Sequence, residues 1–183
     1  MNIPSITDIP IKQRNGEKMA EYLHVKHTFA PVYNEKSQIL ILGSLPSVKS
    51  REQGFYYGHP KNRFWLVLAR LLDREVPITI EEKKEMLLNN GIAVWDVLDS
   101  CDIIGSSDSS IKNPVAADIL GLLQKTSIKR IYANGGTAGK YYRKLVQPQT
   151  GKEITILQST SPLNCRYSLE ELIKNWEVIR EKI

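Results

Sequence analysis

The densest run of chemically useful residues lies between Gly43 and Trp65, GSLPSVKSREQGFYYGHPKNRFW. It begins on a glycine turn after an apolar run and passes the cations Lys49 and Arg51. It then reaches the aromatic pair Tyr56 and Tyr57, and ends where Pro60 stiffens a turn that presents Asn62. A glycine and serine turn offers backbone N–H groups to an anion, an aromatic face suits a base, and a fixed amide suits a water molecule. Together these are the requirements for holding a nucleotide taken out of its stack. Gly43, Ser44 and Ser47 are expected to line a base or phosphate pocket through their backbones. Lys49, Arg51, Lys61 and Arg63 are candidates for DNA phosphates, with a solvated basic face as the alternative.

These residues need elements to carry them. Four short apolar runs, Gln38–Leu42, Gly91–Val94, Lys129–Ala133 and Ile154–Leu157, lack alternation and suit strands buried on both faces of a parallel sheet. Between and after them, helical patterns fall at Asn62–Leu72, Glu81–Asn90, Ala116–Lys125, Thr137–Leu145 and Ser168–Lys182. The last opens on an N-cap serine with a glutamate close behind. The expected fold is an α/β three-layer sandwich with a central, mostly parallel four-stranded sheet flanked by helices. Residues 1–24 are expected to form an N-terminal extension and 25–183 a single domain. In a parallel sheet the turns after all four strands emerge at one carboxyl edge, where open α/β folds place a ligand. Those turns are Gly43–Ser47, Trp95-Asp96, Asn134-Gly135-Gly136 and Ser159-Thr160-Ser161-Pro162-Leu163-Asn164. Asn134 is placed there to reach a base edge. Ordinary strand-to-helix turns use the same residue types, so that reading stays open.

Other motifs fail on spacing. Gly135–Lys140 is one residue short of a phosphate-binding P-loop, and Tyr141 stands where Ser or Thr must reach magnesium. There is no dinucleotide fingerprint and no nucleophile elbow. His24 and His27 could share a helix face toward a metal, but nothing near them in sequence completes a site. Cys101 and Cys165 form no C-x-x-C pair and fit a reducing compartment. No metal and no cofactor are expected. The net charge of +5 is compatible with a polyanionic partner. The polar N-terminus has no apolar signal core and no run approaches a membrane span, which points to the cytoplasm.

The Gly43–Trp65 segment resembles the first active-site motif of the mismatch-specific uracil/thymine-DNA glycosylases, and STSPLN resembles the second motif of the uracil-DNA glycosylase superfamily. The likeness is closer to the DNA-deoxyinosine (hypoxanthine-DNA) glycosylase branch, whose pattern GS-x-P-S-x-x-S-R-E-Q-G-F-Y-Y-G-H-P-x-N-x-F-W is matched almost throughout. WDVLDSCDIIGSSDSSI is similar as well, and the resemblance runs from about His27 to Trp176. It implies a monomeric, monofunctional N-glycosylase acting on a deaminated base, foremost hypoxanthine, in duplex DNA. Asn62 would orient the attacking water, Tyr57 would stack on the flipped base, and Leu163, flanked by Ser161, Pro162 and Asn164, would enter the base stack. One departure matters. Mismatch-specific relatives carry an asparagine two residues after the motif glycine, where this chain has Leu45, so their uracil chemistry is in doubt here. A uracil or mismatch glycosylase and a lesion binder without catalysis remain as alternatives.

Overall fold

A computed structural model describes residues 10–11, 21–105 and 107–180. Most of the expected N-terminal extension before Glu21 falls outside the described residues, apart from β1 (Pro10–Ile11). The four expected core strands form one sheet: β3 (Ile39–Gly43), β4 (Ile92–Asp96), β7 (Arg130–Asn134) and β8 (Thr155–Leu157). Their order is β4-β3-β7-β8, and every neighbouring pair is parallel. The absence of polar alternation has a direct cause. Leu40, Leu42, Ala93 and Ala133 enter one core, whereas Ile39, Ile41, Val94 and Tyr132 enter another on the opposite face. Both faces are covered, so both sets must be apolar.

Helices α2 (Phe64–Leu71), α3 (Ile80–Asn89) and α7 (Leu169–Arg180) cover one face. Phe64, Leu68, Leu87 and Trp176 are fully buried there. A capping box of Thr79 and Glu82 starts α3, and Ser168 exchanges hydrogen bonds with Glu171 at the start of α7. The short helices α4 (Ile119–Gln124) and α5 (Gly136–Tyr141) lie on the other face. Past α5 the chain continues through a π-helical turn at Tyr142–Val146 into α6 (Gln147–Thr150), where one helix to Leu145 was expected.

That face also carries a second sheet that was not expected from sequence. It is antiparallel, ordered β1-β2-β5-β6, with β2 (Tyr22–Lys26), β5 (Leu98–Ile103) and β6 (Lys112–Ala116). Val25, Leu98, Cys101 and Ile103 point from it into the shared core. The boundary expected at residue 24 falls inside β2, and His24 belongs to a strand rather than a helix. Strands β4 and β5 are separated by Val97 alone, so the chain passes from one sheet to the other immediately after Asp96. Val97 and Leu98 donate their N–H groups to the carbonyls of Gly43 and Ser44, which anchors that crossing to the end of β3.

Connections leave β3 toward the face of α2 and leave β7 toward the face of α5. A crevice therefore opens between the carboxyl ends of these adjacent strands, the general location of ligands in open α/β sheets.

Candidate active site

A cavity of about 940 Å³ occupies that crevice. Its walls draw on all four strand ends: Gly43 and Ser44, Asp96, Asn134 and Gly135, and the segment Leu157–Ser159. Gly43 and Asp96 are register partners. A Cβ on residue 43 would lie 2.2 Å from Asp96 Oδ1 and 3.4 Å from Tyr57 Oη, so only glycine leaves room for both groups. Gly135 has φ +100 and also faces Ser159, whose Cβ would lie 3.0 Å from an added methyl.

Tyr57 follows α1 (Val48–Gln53), a helix that sequence reasoning passed over. Ser47 caps it by accepting from Ser50 N–H, and the buried Ser50 hydroxyl accepts from Gly58 N–H, tying the helix to the tyrosine turn. Tyr57 itself adopts φ 53, a conformation costing a non-glycine residue about 1–3 kcal/mol. One face of its ring stacks on Phe64 at 3.7 Å. Its hydroxyl is buried without a hydrogen-bond partner among the described residues. Burial first, then the Asp96 carboxylate, pushes the phenol far above its ordinary pKa, while the nearby Asn134 amide pulls slightly the other way. Tyr57 therefore stays protonated. Tyr56, by contrast, is core, with its hydroxyl donating to the Ala30 carbonyl at 3.1 Å.

Asn62 stands at the start of α2. Its Oδ1 accepts from Phe64 N–H at 3.0 Å and from Thr160 Oγ1 at 2.9 Å. Asn62, one residue before the N-cap Arg63, thus closes the start of the helix by taking its first N–H, and Nδ2 is the part of its amide left without a partner among the described residues. Thr160, fully buried, accepts from Asn134 Nδ2 at 2.8 Å and donates its N–H to Asn134 Oδ1 at 2.9 Å. Asn62, Thr160 and Asn134 come from three separated segments and form one network. Sequence reasoning placed Asn62 and Asn134 near the site but missed Thr160, whose partners lie 98 and 26 residues away.

The adjacent Arg63 was a candidate phosphate ligand. Instead its guanidinium donates to the carbonyls of Tyr167 at 2.6 Å and Asn164 at 2.7 Å, and its N–H bonds to the Thr160 carbonyl. Two charge-assisted bonds of this length hold the loop of residues 160–167 against the start of α2. Within the loop, Ser161 accepts from Leu163 N–H, and Asn164 Nδ2 donates to the Ser159 carbonyl. Leu163 projects from this fixed turn 83% exposed, far outside any core. Ser161, Pro162, Leu163 and Asn164 all border the cavity.

Ser44, Ser47 and Arg51 also line the cavity, and Arg51 donates to the Pro46 carbonyl. Lys49 stands outside its lining and pairs with Glu52 at the surface. The two histidines take different partners. His24 Nδ1 meets Asp102 at 2.8 Å in the second sheet, and His27 Nε2 meets Asp96 at 2.9 Å beside the cavity. They do not converge on a common ligand, which corrects the shared-face expectation. Ser107, Asp108 and Ser109, in the loop that follows β5, border the cavity as well. Gln158, passed over in the sequence, also lines the cavity, and its buried Oε1 has no partner among the described residues.

With this geometry established, comparison with known proteins fixes the family. The model of the Uracil DNA glycosylase superfamily matches residues 30–180, and the chain belongs to that superfamily. It is 34% identical over 157 residues to a protein named Hypoxanthine DNA glycosylase from Methanosarcina acetivorans, covering 85% of this chain and 98% of the relative. A protein of the same name from Methanosarcina barkeri is 34% identical over 153 residues, covering 82% and 95%. The fold matches, with a TM-score of 0.72 and 34% identity, a solution NMR structure from Methanosarcina acetivorans provisionally described as a uracil DNA glycosylase. That match covers 83% of this chain and 94% of the other.

Proposed function

We infer that the chain is a monofunctional DNA glycosylase that hydrolyses the N-glycosidic bond of hypoxanthine in duplex DNA. The observation that carries this reading is the meeting of the Gly43–Trp65 segment and the Ser159–Asn164 loop on one cavity, locked together through Asn62 and Thr160. The names of the two Methanosarcina relatives direct the substrate to hypoxanthine. The protein acts as a monomer in the cytoplasm. Among the described residues no helix is long and apolar enough to cross a membrane.

Cleavage of a glycosidic bond places positive charge on the sugar and negative charge on the departing base. When the sugar cation forms first, water needs positioning more than deprotonation, because the oxonium formed on attack gives up its proton to solvent readily. Asn62 Nδ2 holds that water by its oxygen and leaves a lone pair directed at the anomeric carbon. Tyr57 receives the flipped base on the ring face opposite Phe64. Gly43, Ser44 and Asn134 border the base, while Ser47 and Arg51 face the strand and Lys49 meets it at the rim. Leu163 fills the gap left in the stack, with Ser161, Pro162 and Asn164 shaping its turn.

The decisive assay is base release from matched duplexes carrying hypoxanthine, uracil or neither, read as alkali-labile sites. Release from the hypoxanthine duplex is the expected result. Release mainly from uracil would replace the substrate, a reading favoured by the description of the solved relative. Tight binding with no release from either duplex would make the chain a lesion binder. The wedge has its own test. Leu163→Ala is expected to slow excision from a fully paired duplex by roughly tenfold, because flipping costs a few kcal/mol. It should leave a single-stranded substrate unaffected, and equal rates on paired DNA would remove Leu163 from the mechanism.

A further inference from the structure

Asp96 is the last residue of β4, and its side chain lines the cavity while being only 6% exposed. A carboxylate removed this far from water is costly unless its oxygens are matched. Among the described residues one of them is matched: Oδ2 accepts from His27 Nε2 at 2.9 Å. Oδ1 has no partner among the described residues, and it lies where only a glycine at position 43 makes room for it. His27 is in turn immobile. Its side chain is 4% exposed, its ring packs on Phe29 at 4.5 Å and Tyr56 at 5.8 Å, and its N–H bonds to the Asp99 carbonyl. The result is a fixed oxygen that can accept a hydrogen bond, set in the wall of a cavity with room for a base.

We propose that Asp96, positioned by His27, reads deamination itself: its free Oδ1 accepts a hydrogen bond from the ring N1–H that hypoxanthine carries and adenine lacks. The inference deepens the glycosylase reading and rests on it. Deamination turns an amidine edge into a lactam edge, so the ring nitrogen changes from acceptor to donor. A carboxylate oxygen attracts the second and repels the first. Adenine, the base most in need of protection, meets two facing lone pairs in a dry site. Guanine shares the N1–H and must be refused elsewhere on its edge.

The test compares single-turnover release of hypoxanthine and 1-deazahypoxanthine, an analogue with C–H at position 1 whose mobile proton sits on N3 or O6 instead, from otherwise identical duplexes. The wild-type protein is expected to favour hypoxanthine by at least about 100-fold, the scale on which a site built around a hydrogen bond rejects an analogue lacking it. In Asp96→Ala this ratio should collapse toward unity, and comparing the two ratios removes any intrinsic difference between the leaving groups. His27→Gln, which keeps a donor, should retain more of the ratio than His27→Ala. Affinity for a duplex carrying an abasic-site analogue should stay at the wild-type level in Asp96→Ala, since no base edge is present. Equal release of both bases by the wild-type protein, or an unchanged ratio in Asp96→Ala, would overturn the role of Asp96 and leave the glycosylase reading standing. Release of neither base by the wild-type protein would overturn both.

Discussion

Asn62→Ala is expected to lose on the order of a hundred- to a thousandfold in excision rate, the loss typical of removing one preorganised polar group from a transition state. The substitution also has a structural cost, since Asn62 Oδ1 serves Phe64 N–H and Thr160 Oγ1 together. Loss of the cap alone costs about 0.5–2 kcal/mol, so the melting temperature should fall by several degrees. The two effects separate in Asn62→Asp. Aspartate keeps an acceptor oxygen for both bonds and should regain most of the stability, yet it lacks the Nδ2 donor and should remain slow. Single-turnover rates beside thermal melts decide the matter. An Asn62→Ala protein that binds DNA and excises at the full rate would remove Asn62 from the chemistry and leave it a cap.

Gly43→Ala is expected to be nearly as damaging by a different route. The new methyl would lie 2.2 Å from Asp96 Oδ1, and the obstructed atoms have little freedom. Asp96 is held through Oδ2 by His27, and Tyr57 is stacked on Phe64. The strand cannot yield either, because β3 lies between β4 and β7 and is fully buried. Overpacking of this kind costs about 1–3 kcal/mol. In addition, the carboxylate must swing into the cavity or abandon His27. Excision is expected to fall at least tenfold, while thermal unfolding remains cooperative. A Gly43→Ala protein with wild-type stability and wild-type rate would mean that the end of β3 is not the tight junction described here.

The central sheet was legible because each of its strands is covered on both faces, which forces an uninterrupted apolar run. The second sheet was not. LDSCDI and KNPVA mix charges, serine and a proline: β5 buries Ser100 and Asp102 beside its apolar residues, while no residue of β6 is buried. Pro114 sits in β6, an edge strand, where a missing N–H is tolerated. In the sequence that proline looked like the approach to a helix. The site divides along the same line. Asn62, Tyr57 and Leu163 lie in segments whose residue order carries a motif. The pairing of His27 with Asp96 spans 69 residues and depends on the chain crossing between sheets at Val97. No local pattern announces it. Arg63 shows the opposite failure: a basic residue beside the candidate Asn62 suggested phosphate, whereas its fork is occupied by loop carbonyls.

The fully buried Thr160 leaves none of its polar groups idle. Its hydroxyl donates to Asn62 and accepts from Asn134, its N–H goes to Asn134, and its carbonyl accepts from Arg63. A single change at Asn62, Asn134 or Thr160 that removes the bonding atom strands a buried donor or acceptor, and each such orphan costs about 1–3 kcal/mol. The three positions are therefore expected to change together. A residue at position 62 without an acceptor oxygen requires compensating changes at two other strand ends, so altered base specificity is reached at less structural cost through the rest of the cavity wall.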